Sequence, residues 1–354
     1  MSWWQRLRAG DNSTIIQAEN VALTQISTNG LTYADVREIS KDIARHEIEK
    51  YSVEAKVTLT HRVNEFAHNY YLRQTSADAN GLSALKDPFM QRALRTAEIN
   101  FGASGRIDKG EALVDLLVDL SGRKPDSLIA VCLEDALSIV PKLTTQQIAA
   151  LTALLLVDGV QMQVGFLKHH YEFLLKNVAP LGGLLPDDGI SYRHLQYTQV
   201  AWLNASIRYA SFGREVQRHL PGIFTEGIEK SEVPEPLRTL NPTIWVEHER
   251  YKDKVRLNSP TLEGIEALAE THPVITQHST KLMQQMNLVR TEPRAIEDQI
   301  IDAVPEMRDF IRIWNNSELG KFELTSVGIV IAHANWKRMN TGTFVELDHL
   351  FPSA

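Results

Sequence analysis

The chain has only one cysteine, no long apolar run and no excess of basic charge. Because Cys132 is the only cysteine among 354 residues, no internal disulfide can form, which is typical of a reducing compartment. The longest apolar stretches, 149–157 and 327–334, are too short to span a bilayer. The start of the chain lacks the charged and apolar regions of a signal peptide. These absences predict a cytoplasmic protein.

The charge balance argues against a nucleic-acid-binding protein. The 44 acidic residues outnumber the 37 basic ones, and both signs are interspersed along the chain. Because binding to nucleic acid needs a concentrated basic surface, we expect no such partner. A hydrophobic fraction of 43% is ordinary for a folded protein, and the length suits one large or two ordinary domains.

The first thirty residues differ from the rest, because they contain two short β-branched and apolar runs separated by Glu19-Asn20. Two strands alone are marginally stable in water, and their unpaired edges favour pairing with other chains. We therefore predict a short N-terminal β oligomerisation element, either a hairpin or a rung of a shared β-roll. The alternative is pairing with the body of the same chain. The expected contact residues are Ile15, Ile16, Val21, Leu23 and Ile26.

The extreme N-terminus combines aromatic and basic side chains, namely Trp3, Trp4, Arg6 and Arg8. Tryptophan favours the membrane interface, and arginine favours anionic headgroups. We therefore predict a peripheral contact with anionic lipid, strengthened when several copies cluster. The alternative is a terminus that is frayed or docks on the body.

Most of the chain after Leu31 has helical periodicity, which predicts a mainly α fold with a multi-helix globular body. The first helical run begins at Thr32, with Asp35 three residues on as in a capping box, and is expected to break near 51–52. Further helices are predicted over 88–101, 108–121, 126–139, 144–157, 160–177, 191–204, 207–219, 261–271, 275–287, 293–303, 305–315 and 325–338.

The stretch 221–260 interrupts the helical pattern with several prolines and little periodicity. A strand pair is predicted there, 243–246 with 254–257, in an irregular loop or small β insertion. The predicted organisation has four parts: 1–30, the helical body 31–220, the insertion 221–260, and a helical C-terminal part 261–354 that packs on the body.

Several patterns that suggest chemistry have a structural interpretation that we favour. The 102–106 stretch resembles a phosphate loop but follows a helix, so a helix end explains it. Cys132 lies in an apolar helical segment, where we expect a buried thiol. Two polar stripes are interpreted as solvated helix faces: His61, Glu65 and His68, and Asp108, Glu111, Asp115 and Asp119. We therefore predict no metal and no cofactor, and assign no catalytic residue.

The most distinctive segment of the body is 325–336, where His333 and Asn335 interrupt an apolar helix. Such polar groups need partners if they are buried, and we favour a core histidine with a satisfied hydrogen bond; the alternative is a polar site formed by His333 and Asn335. Gly328 and Ala332 would let another helix approach closely. An enzyme assembled from scattered residues, such as His333 with Glu134 or Asp135, is the alternative hypothesis.

Five segments carry a resemblance to a known family: AGDNSTIIQA at 9–18, GLTYADVREI at 30–39, LVDLLVDL at 113–120, ALSIVPKL at 136–143 and LTSVGIVIAHANWKR at 324–338. Together they resemble a family of uncharacterised bacterial proteins, for which no catalytic residues can be carried over. The GDNST opening also looks like an oligomerisation element found on some bacterial conflict and defence proteins. The resemblance thus implies a role in defence.

The sequence therefore predicts a non-enzymatic, self-assembling sensor or adaptor in bacterial anti-phage defence, with peripheral membrane association. Its expected partners are copies of itself through 9–30, a co-encoded effector protein and anionic lipid. Two alternatives stay open: a hydrolase or nuclease, and a plain structural scaffold.

Overall fold

The computed structural model is mainly helical, which confirms the predicted fold class. It describes residues 31–49, 51–78, 80–160, 165–206, 211–233, 235–239, 244–271, 273–340 and 345–351. The predicted β element and the Trp/Arg start lie outside these residues. The chain divides into two compact units between Pro141 and Lys142. The predicted four-part organisation stays a prediction.

The first unit is built from helices joined by short connections. Their bounds are α1 Tyr33–Ile48, α2 Val53–Ala77, α3 Pro88–Ser104, α4 Ile107–Ser121 and α5 Leu128–Ile139, with a 3₁₀ turn Gly81–Lys86 before α3. The predicted break near 51–52 is confirmed, because Ser52 is the N-cap of α2 and accepts a hydrogen bond from the Ala55 N–H.

Local side-chain chemistry sets the helix ends of this unit. The Thr32 N–H donates to Asp35 Oδ2 at 2.8 Å, and the Asp35 N–H donates to Thr32 Oγ1 at 3.3 Å, as the capping pattern predicts. Helix α3 ends at Gly105, whose φ of 62° is left-handed. Arg62 Nη1 donates to the Gly102 carbonyl at 2.9 Å. The stretch 102–106 is therefore a helix end, as expected.

The core of the first unit lies where α2 packs against α1, α3 and α4. Phe66 and Tyr70 are buried there, and Cys132 is buried on α5, as expected. Glu98 is also buried, and desolvation raises the pKa of its carboxyl well above the ordinary value, opposed in part by the Ser40 hydroxyl. Burial therefore favours the protonated form of this acid.

The second unit contains more helices, and two of them continue into π-helical turns. Their bounds are α6 Thr145–Leu154, α7 Leu167–Phe173, α8 Gly189–Tyr197, α9 Phe212–His219, α10 Glu235–Arg238, α11 Leu262–Thr271, α12 Pro273–Leu288, α13 Pro293–Ala303, α14 Met307–Asn316 and α15 Ser326–Met339. The π turns are Leu155–Gly159 after α6 and Leu174–Val178 after α7.

Two small antiparallel sheets accompany these helices. Strand β1, Ala201–Leu203, pairs with β5, Phe322–Leu324. Strands β2 (Ile228–Glu229), β3 (Trp245–Glu247) and β4 (Lys254–Leu257) form a sheet in the order β2-β4-β3, covered by α11 and α12. The strand pair predicted within 221–260 is thus confirmed, displaced by one or two residues at β3.

The predicted helix over 191–204 is wrong beyond Tyr197. Thr198 is the C-cap of α8, and Gln199 has a left-handed φ of 59°. The chain then enters β1, whose partner β5 lies far along the sequence. Because pairing with a distant strand overrides local helical periodicity, the sequence pattern alone misassigns this segment.

His170 on α7 is buried without a hydrogen-bond partner for either ring nitrogen among the described residues. Its ring contacts Phe224 edge-on, with centroids 5.5 Å apart. Burial lowers the pKa of His170 to about 4, so the ring is neutral in the folded protein at pH 7.

This histidine should make stability depend on pH. The unfolded chain binds a proton near the ordinary pKa of 6.5, whereas the folded ring does so only near 4. The free energy of unfolding should therefore be highest above pH 6.5 and fall by about 3 kcal/mol toward pH 4. In urea titrations across this range, His170→Gln should flatten the decline. The exposed neighbour His169, changed to Gln, is the control, and an unchanged slope in His170→Gln would contradict the assignment.

Candidate functional site

The predicted polar residues of α15 are buried and hydrogen-bonded. The His333 Nε2–H donates to the Val345 carbonyl at 2.8 Å. Asn335 Nδ2 donates to Thr152 Oγ1 at 2.8 Å, and its Oδ1 accepts from Arg338 Nη2 at 2.8 Å. These contacts fix α15 against neighbouring segments. His333 and Asn335 therefore belong to a hydrogen-bond network with a structural role.

The network continues to Asn177, a residue that the sequence pattern does not single out. Asn177 Oδ1 accepts from Trp336 Nε1 at 2.8 Å and from Asn340 Nδ2 at 2.7 Å. Its Nδ2 donates to the Phe173 carbonyl at 3.1 Å. One amide thus ties the C-terminal end of α15 to the π turn after α7.

Gly328 permits a close approach, as predicted, but its neighbour is not a helix. A Cβ at this position would lie 1.9 Å from the Val200 carbonyl oxygen, just before β1. Thr325 caps α15 by accepting from the Gly328 N–H, and its hydroxyl donates to the Gln199 carbonyl at 2.8 Å. The start of α15 is therefore joined to the β1 segment.

The other polar patterns are more buried than the sequence suggests. His61 is exposed as expected, but His68 packs edge-on against Tyr33, with ring centroids 5.1 Å apart. The predicted solvated acidic face is wrong at Asp115, which is buried and pairs with Arg73 Nε at 2.8 Å. These side chains stabilise packing in the first unit.

The proposed enzyme residues have separate partners. Glu134 pairs with Arg92 Nη2 at 2.7 Å, whereas His333 binds the Val345 carbonyl. Asp135 is exposed on α5. None of these contacts supplies a paired acid and base.

The structure does assemble another scattered cluster, Asp158, Glu215 and His219, whose possible ligand atoms lie within 4.8 Å of one another. His219 Nε2 lies 3.1 Å from Asp158 Oδ1. This hydrogen bond is the largest of the influences that hold the pKa of Asp158 below its ordinary value. The sequence offers no signal for the whole cluster, because Asp158 lies far along the chain from Glu215 and His219, which are four residues apart on α9.

Arg218 already occupies the centre of this cluster. Its Nη2 lies 2.5 Å from Asp158 Oδ1 and 2.6 Å from Glu215 Oε2. A metal ion would have to compete with this guanidinium for both carboxylates. We therefore interpret the cluster as an ion-paired clamp between α9 and the π turn after α6.

A groove of about 680 Å³ lies along α7 and is the strongest candidate for partner binding. Its apolar lining consists of Leu167, Tyr171, Leu175, Ala303 and Val304. Its polar lining consists of Lys168, Glu172, Glu249, Arg250, Gln299 and Asp302. A lining that combines apolar and charged side chains is typical of a protein-binding surface.

Buried Arg256 of β4 positions the start of this groove. Its Nη2 donates to the Gly165 carbonyl at 2.6 Å and to Glu249 Oε1 at 2.9 Å. Glu249 Oε1 in turn accepts the Leu167 N–H, the first of α7, at 3.3 Å. The guanidinium also lies 5.6 Å from the centroid of the Phe166 ring. The sheet of 221–260 thus sets where α7 begins.

Large apolar side chains are exposed on and beside the groove. Leu175 in its lining is 45% exposed, and Phe166 and Tyr251, each next to a lining residue, are 45% and 43% exposed. Exposed apolar groups that cluster in this way mark interaction surfaces. The sequence does not predict this grouping, because α7 and 249–251 are distant in the chain.

Comparison with known proteins adds a family but no activity. A family model whose description reads only ":-like" matches residues 30–351, so the chain belongs to that family. No curated protein and no solved structure matches the chain. Among the described helices, none combines the length and apolarity needed to cross a bilayer.

Removing the Asn177 side chain should destabilise the second unit. Asn177→Ala would leave the buried Trp336 N–H without an acceptor, at a cost of about 3 kcal/mol in the free energy of unfolding. Chemical denaturation followed by far-ultraviolet circular dichroism measures this loss. Gln196→Ala on the exposed face of α8 is the matched control, and equal stability of the two variants would refute the role of Asn177.

Proposed function

We propose that this family member is a non-enzymatic, self-assembling sensor or adaptor that binds a partner protein through the groove along α7. The observation that carries the proposal is the apolar part of the lining of that groove, with Leu175 nearly half exposed on the π turn after α7. Burial of such a surface by a partner is favourable in proportion to the apolar area removed from water.

The occupant that fits the groove is one face of an amphipathic helix. Helix α7 and its π turn extend from Leu167 to Val178, roughly 18 Å at 1.5 Å per residue, which matches about three helical turns. A partner helix of that length would place apolar residues at i, i+3/i+4 and i+7 on Tyr171, Leu175 and Val304.

The charged lining residues favour complementary charges on the partner helix. Lys168 lies at the start of α7 and pairs with Glu172 at 4.0 Å, and Arg250 follows Glu249, which is already paired with Arg256. Asp302 also lines the groove, near the end of α13. We therefore expect acidic residues on the partner near Lys168 and Arg250, and a basic residue near Asp302.

Self-assembly through residues 9–30 would bring several grooves together and so strengthen the binding of a clustered partner. Several grooves held together bind a clustered partner more tightly than one groove does, with no new contact. A co-encoded effector protein is the source that we propose for the partner helix. The role in anti-phage defence rests on the resemblance of the GDNST opening, and lipid contact rests on Trp3 and Trp4.

Deleting residues 1–30 should convert a defined oligomer into a folded monomer. The contact residues Ile15, Ile16, Val21, Leu23 and Ile26 are lost in this variant, whereas the helical units are kept. Multi-angle light scattering gives both masses, and circular dichroism checks the fold. If the full chain and the truncated chain are both monomers, the assembly proposal is wrong. If both are the same oligomer, residues 1–30 do not form the contact between copies.

A charge in the groove should weaken partner binding. Leu175→Asp places a carboxylate among the apolar side chains that line the groove, which should weaken co-purification of the co-encoded effector by at least about tenfold. Leu184→Asp is the matched control, because Leu184 is 41% exposed but lies outside the groove. Retained binding in Leu175→Asp, or equal loss in both variants, would contradict a groove-mediated complex.

A further inference from the structure

A second concavity in the same unit, a cleft of about 440 Å³, differs from the groove in being mainly polar and charged. It lies between the start of α8, the end of α14 and the turn Leu319–Lys321. Its volume falls within the range of about 300–1,000 Å³ that is usual for small-molecule sites.

The wall of the cleft is held in place by hydrogen bonds. The Tyr192 hydroxyl donates to the Pro186 carbonyl at 2.5 Å. Asn315 Oδ1 accepts the Phe212 N–H at 2.8 Å, and its Nδ2 donates to Glu297 Oε2 at 3.0 Å. These side chains form a preorganised wall, which reduces the cost of ordering on binding.

The charged groups of the cleft form no ion pair with the described part of the chain. Arg193, Lys321, Asp187 and Glu318 line it, and none of them forms an ion pair within the described ranges of the chain. Exposed charges close by do pair, as Arg312 does with Asp309 at 3.4 Å. The cleft thus presents two cations and two anions that are available to a ligand.

We propose that this cleft binds a small zwitterion of the amino-acid class, with a carboxylate held by Arg193 or Lys321 and an ammonium held by Asp187 or Glu318. A simple anion would meet the two carboxylates, and a simple cation would meet the two basic groups, so each satisfies only half of the lining.

This ligand would be an input for a sensor, but the site does not depend on residues 9–30 or on the groove. Binding to the cleft can therefore be measured whatever the oligomeric state proves to be. Loss of assembly in the truncated chain, or loss of effector binding in Leu175→Asp, would test the proposed function and leave the cleft untouched.

The test is a thermal-shift screen of the full chain against the twenty free amino acids at millimolar concentration. Each amino acid is compared with its N-acetyl form, which lacks the ammonium, and its amide form, which lacks the carboxylate. We expect at least one amino acid to raise the Tm by a few degrees, because a ligand that binds only the folded state stabilises it. Both derivatives should lose this effect.

Variants locate the site. At least one of Arg193→Ala and Lys321→Ala, and at least one of Asp187→Ala and Glu318→Ala, should weaken the binding measured by calorimetry at least about tenfold, because each of those two variants removes a charge-assisted contact. Arg214→Ala, an exposed arginine of α9 outside the cleft, should bind normally. The proposal is overturned if no amino acid raises the Tm, if an N-acetyl form binds equally well, or if the cleft variants bind normally.

Discussion

The hydrogen bonds made by Asn177 are the constraint on which much of the second unit depends. This one amide accepts from Trp336 and Asn340 of the C-terminal helix segment and donates to the Phe173 carbonyl at the end of α7. Because the Trp336 indole is buried, its N–H must find an acceptor inside the protein. The position of α15 is thereby coupled to the helix that forms the wall of the groove.

Several polar side chains of the second unit fasten one element to another. Arg256 joins the β2-β4-β3 sheet to the start of α7, and Arg218 joins α9 to the π turn after α6. Such residues resemble catalytic ones in composition, since they include histidine, arginine and carboxylates. Their geometry differs from that of a catalytic site, because the atoms that make these contacts are already bonded to other groups of the protein. Arg256 also positions the start of the groove, whereas Asn315 and Tyr192 hold the wall of the cleft.

Local sequence signals predicted the fold well wherever the cause was local. The Thr32–Asp35 cap, the break near 51–52, the helix end at Gly105 and the strand pair ending at Leu257 all depend on a few neighbouring residues. The helix predicted over 191–204 was wrong beyond Tyr197, since β1 pairs with a strand that no local pattern indicates. The prediction that Asp115 lies on a solvated helix face was wrong for a similar reason, because this buried carboxylate pairs with Arg73 of another helix.

The sequence by itself determined the mainly helical class, the helix caps and the distinctive character of α15. These follow from periodicity and side-chain type, which act over one or two helical turns. Only the tertiary structure decided that His333 and Asn335 are structural, that Asn177 is central, and that Tyr171, Leu175 and Val304 share a groove. The physical reason is that burial and hydrogen bonding depend on which distant segments come into contact, and no short sequence pattern specifies those contacts.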